Sequence, residues 1–183
     1  MYGIVTIVEG EQAEMIRGQW AAFAREHGPG SVKGQNIPHM SYHVAEAYDL
    51  RTVSAVLTRL ASTTDPFSVR TSGLGFISAP YIVTWINLTR TPALSHLHQR
   101  LWDEAGQAGS GIVRRYHPDR WFPHVTLSDT PVLLGEAQRL SHTLMEGDRF
   151  RAIPVSNLAV IEETESGHGV RFHVNVGAMD TGA

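Results

Sequence analysis

Pro123-His124-Val125-Thr126-Leu127 decides how this chain is read, and it has an echo at Pro38-His39-Met40-Ser41-Tyr42. Both stretches read Pro-His-x-(Ser or Thr)-apolar. In a β-strand, alternation with a period of two sends His124 and Thr126 to one face and Val125 and Leu127 to the other. A basic nitrogen then lies beside a hydroxyl, and two such strands brought together surround one small space with two imidazoles and two hydroxyls. With ten histidines in the chain, His-x-(Ser or Thr) alone is weak evidence. Requiring one of nine prolines before it and an apolar residue after it, in a chain 42% hydrophobic, leaves about 0.03 matches expected by chance.

The 183 residues suffice to bury a substantial core, as one domain or as two small lobes sharing it. Residues 1–177 are expected to fold as a single unit and 178–183 to form a loose tail. No apolar run reaches the length of a membrane span, and the N-terminus alternates like a strand, so no membrane partner or secretion is expected. The absence of cysteine excludes disulfides, thiolate metal sites and a cysteine nucleophile, and makes the cytoplasm the expected location. A net charge of −3 with no basic block argues against gripping long duplex nucleic acid, while a short RNA end or a nucleotide remains an acceptable partner. Oligomeric state leaves no mark in the sequence.

Residues 2–9 read as a first strand. Ile16, Trp20, Phe23 and His27 recur at helical spacing in a helix from Glu11 to His27, stopped by Gly28 and Pro29. A loop to Asn36 then delivers the first motif strand, 38–45, on which His39, Ser41 and His43 are expected to share a face. Asp49 caps a helix to about Ala61, with Leu50, Val53, Val56, Leu57 and Leu60 on its buried side. Phe67, Val69 and Thr71 alternate as a strand that Gly73 and Gly75 interrupt, and a hairpin to a strand over Tyr81–Thr89 is expected to extend the first sheet. Thr91-Pro92 opens a helix through Leu94, Leu97, Leu101 and Ala105. The loop 112–121 leads into the second motif strand, 122–129. Thr130-Pro131 opens a last helix through Leu133, Ala137, Leu140 and Leu144, and strands over Phe150–Val155, Leu158–Ile161 and Val170–Val176 complete the order.

On these two motifs the chain resembles the 2H phosphoesterase superfamily, and within it the 2′-5′ RNA ligase or RNA 2′,3′-cyclic phosphodiesterase family. The resemblance implies an α+β fold of two pseudo-twofold-related lobes, each an antiparallel β-sheet flanked by helices, with the active site in the cleft between them. It also implies a metal-independent phosphoesterase, without cofactor, acting on a 2′,3′-cyclic phosphate or 2′-5′ phosphodiester of RNA or a nucleotide, and reversible as 2′-5′ RNA ligation. Two departures stand out. The first motif has Ser41 and Tyr42 where Thr and an aliphatic residue are commoner, and Phe122 sits where many members place an Arg.

The chemistry fits the residues. Imidazole titrates near neutrality, so His39 and His124 can serve as base and acid in one turnover, in an order the sequence leaves open. The hydroxyls of Ser41 and Thr126 can donate to the phosphoryl oxygens. His43, on the expected cleft face, is placed about 13 Å along the strand from His39, too far to share a metal ion, and is assigned to the substrate rim. Tyr116, Trp121 and Trp85 are candidate aromatic platforms for a base, and Arg114, Arg115 and Arg120 candidate phosphate contacts; of these Tyr116 and Arg120 are assigned to the substrate. His96 and His98 read as surface or packing residues, and His142, His168 and His173 have no partner in the sequence. Two other classes compete: a catalytically silent RNA- or nucleotide-binding module of the same fold, and a His-based metallohydrolase, which lacks a carboxylate at ligand spacing from either motif.

Overall fold

The two motif strands are neighbours in the middle of one antiparallel sheet, and the rest of the chain is laid out from them. The computed structural model describes residues 1–28, 36–78, 82–128 and 152–177. No helix among them is long and apolar enough to cross a membrane.

Tyr2–Ile7 form β1. Helix α1, Gly10–His27, turns Ala13, Ile16, Trp20 and Phe23 inward at three- and four-residue spacing, and it packs against the second motif strand. The first motif strand, β2, is His39–Ala45, followed by the short β3, Ala47–Tyr48. Helix α2, Leu50–Ser62, opens under Asp49, whose carboxylate accepts from the backbone N–H groups of Arg51 and Thr52. It buries Val53, Leu57, Leu60 and Ala61, whereas Leu50, expected inside, is exposed because it stands in the first turn, before the buried stripe begins. Strands β4, Phe67–Ser78, and β5, Ile82–Leu88, form a hairpin. Helix α3, Pro92–Arg100, starts with Thr91 Oγ1 accepting from Leu94 N–H, and continues as a π-helical turn, Leu101–Ala105. There follow β6, Gly109–Ser110, the second motif strand β7, His124–Ser128, then β8, Ala152–Val155, β9, Asn157–Thr164, and β10, Gly167–Asn175. The helix expected through Leu133, Ala137, Leu140 and Leu144, and the tail at 178–183, lie outside the described residues.

The large sheet runs β10-β9-β1-β2-β7-β5-β4-β8. At its centre β2 and β7 share one bridge, Met40 opposite Val125, so this is the narrowest seam in the sheet. The α+β class with antiparallel pairing is as expected. The placement of the β4–β5 hairpin is not: it pairs with β7, and it is β9 and β10 that extend the side of β1 and β2. Gly73 and Gly75 do not interrupt β4 either; the strand runs through them with a register shift between Thr71 and Leu74, where Gly73 adopts φ 104°.

On either side of the seam the backbone repeats itself residue by residue. Ile4 pairs with His43 and Val5 with Ser41, leaving Tyr42 as an extra bulged residue in β2. Thr84 pairs with Ser128 and Trp85 with Thr126, leaving Leu127 bulged in β7. Beyond each bulge the alternation flips, so Tyr42 and His43, and likewise Leu127 and Ser128, are buried in succession. His43 therefore does not share the face of His39 and Ser41, as unbroken alternation predicted. It points into the core, hydrogen-bonded through Nδ1 to the Tyr48 hydroxyl and covered by Trp102 at 4.7 Å between ring centroids.

One large hydrophobic cluster joins α1, α2 and α3 to the Met40 and Val125 face of the sheet. Some of the buried polar groups beside it are bonded across elements. The Thr6 hydroxyl donates to Asn157 O, so the buried Tyr42 hydroxyl is the donor in its 2.8 Å bond to Thr6 Oγ1. His98 Nε2 donates to Tyr42 O, and its ring stacks on Trp121 at 3.9 Å.

Burial lowers the pKa of both core histidines, His43 and His98, to about 4. Unfolded, each binds its proton near the ordinary value of about 6.5. The stability they contribute is therefore complete above about pH 6.5 and declines as pH falls toward about 4, by up to roughly 3 kcal/mol for each group. Denaturant unfolding at pH 7.5 and pH 4.5 should show this loss, and His43→Gln, which does not titrate, should remove the share of His43 and leave that of His98; a pH-independent unfolding free energy in the wild type would contradict the assignment.

Candidate active site

Because Met40 and Val125 face the core across the seam, the residues flanking them face the other way. His39 then lies across from Thr126, and Ser41 across from His124, all four half-buried. The plate has the two imidazoles on one diagonal and the two hydroxyls on the other. Strand geometry puts such diagonal neighbours about 7–8 Å apart, enough to admit a phosphoryl group between them.

The two imidazoles are held alike. His39 Nδ1 donates to Ile37 O at 2.7 Å and His124 Nδ1 to Phe122 O at 3.0 Å. A carbonyl only accepts, so in the neutral ring the proton is on Nδ1, leaving the Nε2 lone pair for the site. The intervening prolines are tied into the ladder in parallel, Pro38 O accepting from Val8 N–H and Pro123 O from Leu88 N–H. Electrostatics separates the pair. Burial lowers the pKa of His39 to about 4, outweighing the opposing bond to Ile37 O, with further lowering from His168 and His124. Burial also lowers that of His124, opposed by Phe122 O and assisted by the Arg115 charge.

The walls differ. Beside His124, Trp85 and Phe122 form an aromatic cluster, with ring centroids 5.3 Å apart and 5.5 and 5.3 Å from the His124 ring. Trp85 donates Nε1–H to Asn87 Oδ1 at 2.6 Å, and a Cβ at Gly75 would fall 2.2 Å from that nitrogen, so the glycine makes room for the indole. On the β1 side the corresponding residues are aliphatic: Val5, Ala159 and Ile161 are buried together with Ile7 packed on them. His168 from β10 stands 5.0 Å from the His39 ring, edge to face at 67°.

Of the residues singled out in sequence, His39, Ser41, His124 and Thr126 come together, and Trp85 joins them. His43 is withdrawn by the bulge. Tyr116 is half-buried against the main core with the Arg115 guanidinium over its ring, and Arg120 is exposed on the turn before Trp121. Trp121 is buried and donates Nε1–H to Ser41 O, serving as a strut beneath the site rather than a platform in it. Its loop is anchored to β2 by Val113 N–H donating to Val44 O, and to the β3–β6 pair. Sequence reasoning misses Phe122 as a contact, although it shares the parity of His124 and Thr126. His168 leaves no sequence signal at all. Among the described residues no three His, Asp or Glu side chains are grouped to hold a metal ion.

A family model described as the 2′-5′ RNA ligase superfamily matches residues 12–167. No curated protein sequence matches the chain. Among solved structures, one described as a phosphoesterase is similar with a TM-score of 0.61 at 15% identity, covering 97% of this chain and 98% of that one. E. coli LigT complexed with 3′-AMP is similar with a TM-score of 0.62 at 14% identity, covering 97% and 98%. The Thermus thermophilus protein TT0787 follows with a TM-score of 0.60 at 15% identity, covering 96% and 97%. At such identities the structural likeness is one of fold, kept over the whole length of the chain. The family model spans both motif strands and most of the chain between and around them, and the chain belongs to the 2′-5′ RNA ligase superfamily.

Proposed function

We propose that the protein is a metal-independent phosphodiesterase that hydrolyses a 2′,3′-cyclic phosphate, or a 2′-5′ phosphodiester, at a short RNA end or on a nucleotide. The observation that carries this reading is the matched pair of imidazoles on two adjacent strands, each with Nδ1 tied to its own backbone, which leaves Nε2 for a group held beside Ser41 and Thr126. LigT, which shares the fold, has been solved with 3′-AMP and with phosphate, ligands of the class this site suits.

In hydrolysis, one Nε2 takes a proton from water as the water oxygen bonds to phosphorus. The bond from phosphorus to one ribose oxygen breaks, and the other imidazole gives that oxygen its proton. Ser41 and Thr126 donate to the non-bridging oxygens, whose charge reorganises in the transition state. The more strongly depressed pKa of His39 suits it to enter neutral as base, with His124 as acid. With the 5′-hydroxyl of a second RNA end in place of water, the same steps form a 2′-5′ linkage: its oxygen bonds to phosphorus, the bond to the ribose 3′ oxygen breaks, and that oxygen takes the proton. Cleavage of a 2′-5′ diester is this step reversed, with the two histidines exchanging roles. The exposed Phe122 offers a ring face to the base, backed by the buried Trp85, and we assign Tyr116 and the exposed Arg120 to the rest of an RNA end. We assign this activity to residues 1–177 acting as one unit in the cytoplasm.

His39→Ala or His124→Ala should each remove most turnover of a 2′,3′-cyclic nucleotide, and the double variant should lose little more, since members of one catalytic unit are not additive. Thr126→Val, which keeps shape and deletes the donor, should cost on the order of 10²-fold, while Thr126→Ser should be mild. Near-wild-type turnover in His39→Ala would sink the reading.

The base works only deprotonated and is lost as pH falls through about 4, the value for His39. The acid works only protonated and is lost as pH rises through that of His124, which is held below the ordinary value. The kcat/KM profile should therefore be a bell with its apex on the acid side of neutrality, unchanged by prolonged EDTA treatment. An apex above pH 7, or activity removed by chelator and restored by one divalent ion, would contradict it.

A further inference from the structure

By strand register His168 lies far from His39. It pairs with Glu163, next to the Glu162–Tyr2–Ala45 row, so it is level with the opposite end of β2. In a flat sheet that is about 20 Å along the strands. The sheet instead curls until the tip of the β9–β10 hairpin meets the start of β2, and the meeting is built from several contacts. The Asn36 side-chain amide donates to His168 O and accepts from His168 N–H, both at 2.8 Å, across 132 residues of chain. Gly167, at φ 142°, lies so close beneath that amide that a Cβ would fall 2.7 Å from Asn36 Cγ. The His168 backbone is thus clamped in both hydrogen-bonding senses, with its ring edge to face on His39.

The two ring nitrogens of His168 are not equivalent. Nδ1 is buried with no hydrogen-bond partner, while the residue as a whole is half-exposed. A buried N–H without an acceptor is among the rarest features of folded proteins, and a buried lone pair is more readily tolerated. The neutral ring therefore carries its proton on Nε2, the tautomer opposite to that of His39 and His124, and turns an N–H donor toward the open side. On the far wall, Phe122 brings a ring and no donor.

We propose that His168 is a substrate-binding residue, whose Nε2–H donates to a phosphoryl oxygen of the group held between His39 and His124. This makes a third histidine of the site, and it rests on the phosphodiesterase reading. The residue contributes recognition rather than proton transfer.

His168→Phe tests it, because it keeps an edge-on ring against His39 and deletes the unpaired buried nitrogen; its thermal midpoint should equal or exceed that of the wild type. Its kcat/KM for a 2′,3′-cyclic nucleotide should fall about 10-fold or more, carried mainly by KM, and its affinity for inorganic phosphate, measured by calorimetry, should fall comparably. His168→Gln, which restores a donor near the Nε2 position, should recover part of both. Equal kcat/KM and equal phosphate affinity in wild type and His168→Phe would overturn the inference while leaving the phosphodiesterase reading intact. A wild type that binds phosphate through His168 but turns over no cyclic nucleotide would remove the phosphodiesterase reading alone. One that does neither would remove both.

Discussion

Two hydrogen bonds, from His39 Nδ1 to Ile37 O and from His124 Nδ1 to Phe122 O, orient the imidazoles of the candidate site. Each fixes a ring, its tautomer and the nitrogen that faces the substrate. The proline between carbonyl and histidine makes the bond available. It has no N–H to offer, and its own carbonyl is taken up by Val8 or Leu88 of the neighbouring strand, so the preceding carbonyl is left for the imidazole. The Pro-His pair is thus a backbone device that holds the imidazole, whatever chemistry the ring performs.

The device is repeated, but its surroundings are not. Where the β7 side places Trp85 and Asn87, the β1 side places Val5 and Ile7 at matching positions beside their histidine. One wall is aromatic and polar and suits a flat base; the other is aliphatic and closed by a hairpin tip that brings His168. Two like imidazoles in unequal walls make the candidate site directional, so on the proposed reading base and acid need not be interchangeable even though their backbone settings are nearly the same.

Much of this is legible from residue types. The four plate residues follow from alternation and adjacency alone, and Asp49 and Thr91-Pro92 mark their helices because capping is local chemistry. What escapes the sequence is whatever depends on partners distant along it. A bulge at Tyr42 is decided by how β1 pairs with β2, and neither strand announces it, so simple alternation puts His43 on the wrong face. Gly73 and Gly75 read as interruptions because composition alone does not distinguish a strand end from a strand that bends. The choice of β7 as neighbour of the β4–β5 hairpin, and the approach of His168 to His39, depend on the curl of the whole sheet.

The paired bulges also insulate one kind of selection from another. In each motif strand, residues before the bulge face the candidate site, and those after it face the interior, where His43 meets Tyr48 and Trp102 and Ser128 lies fully buried. Drift in the second set can proceed by compensating changes in packing without turning the first set out of the cleft. A chain sharing only 14 to 16% of its residues with proteins of the same fold has room in this way for a different interior behind the same sheet.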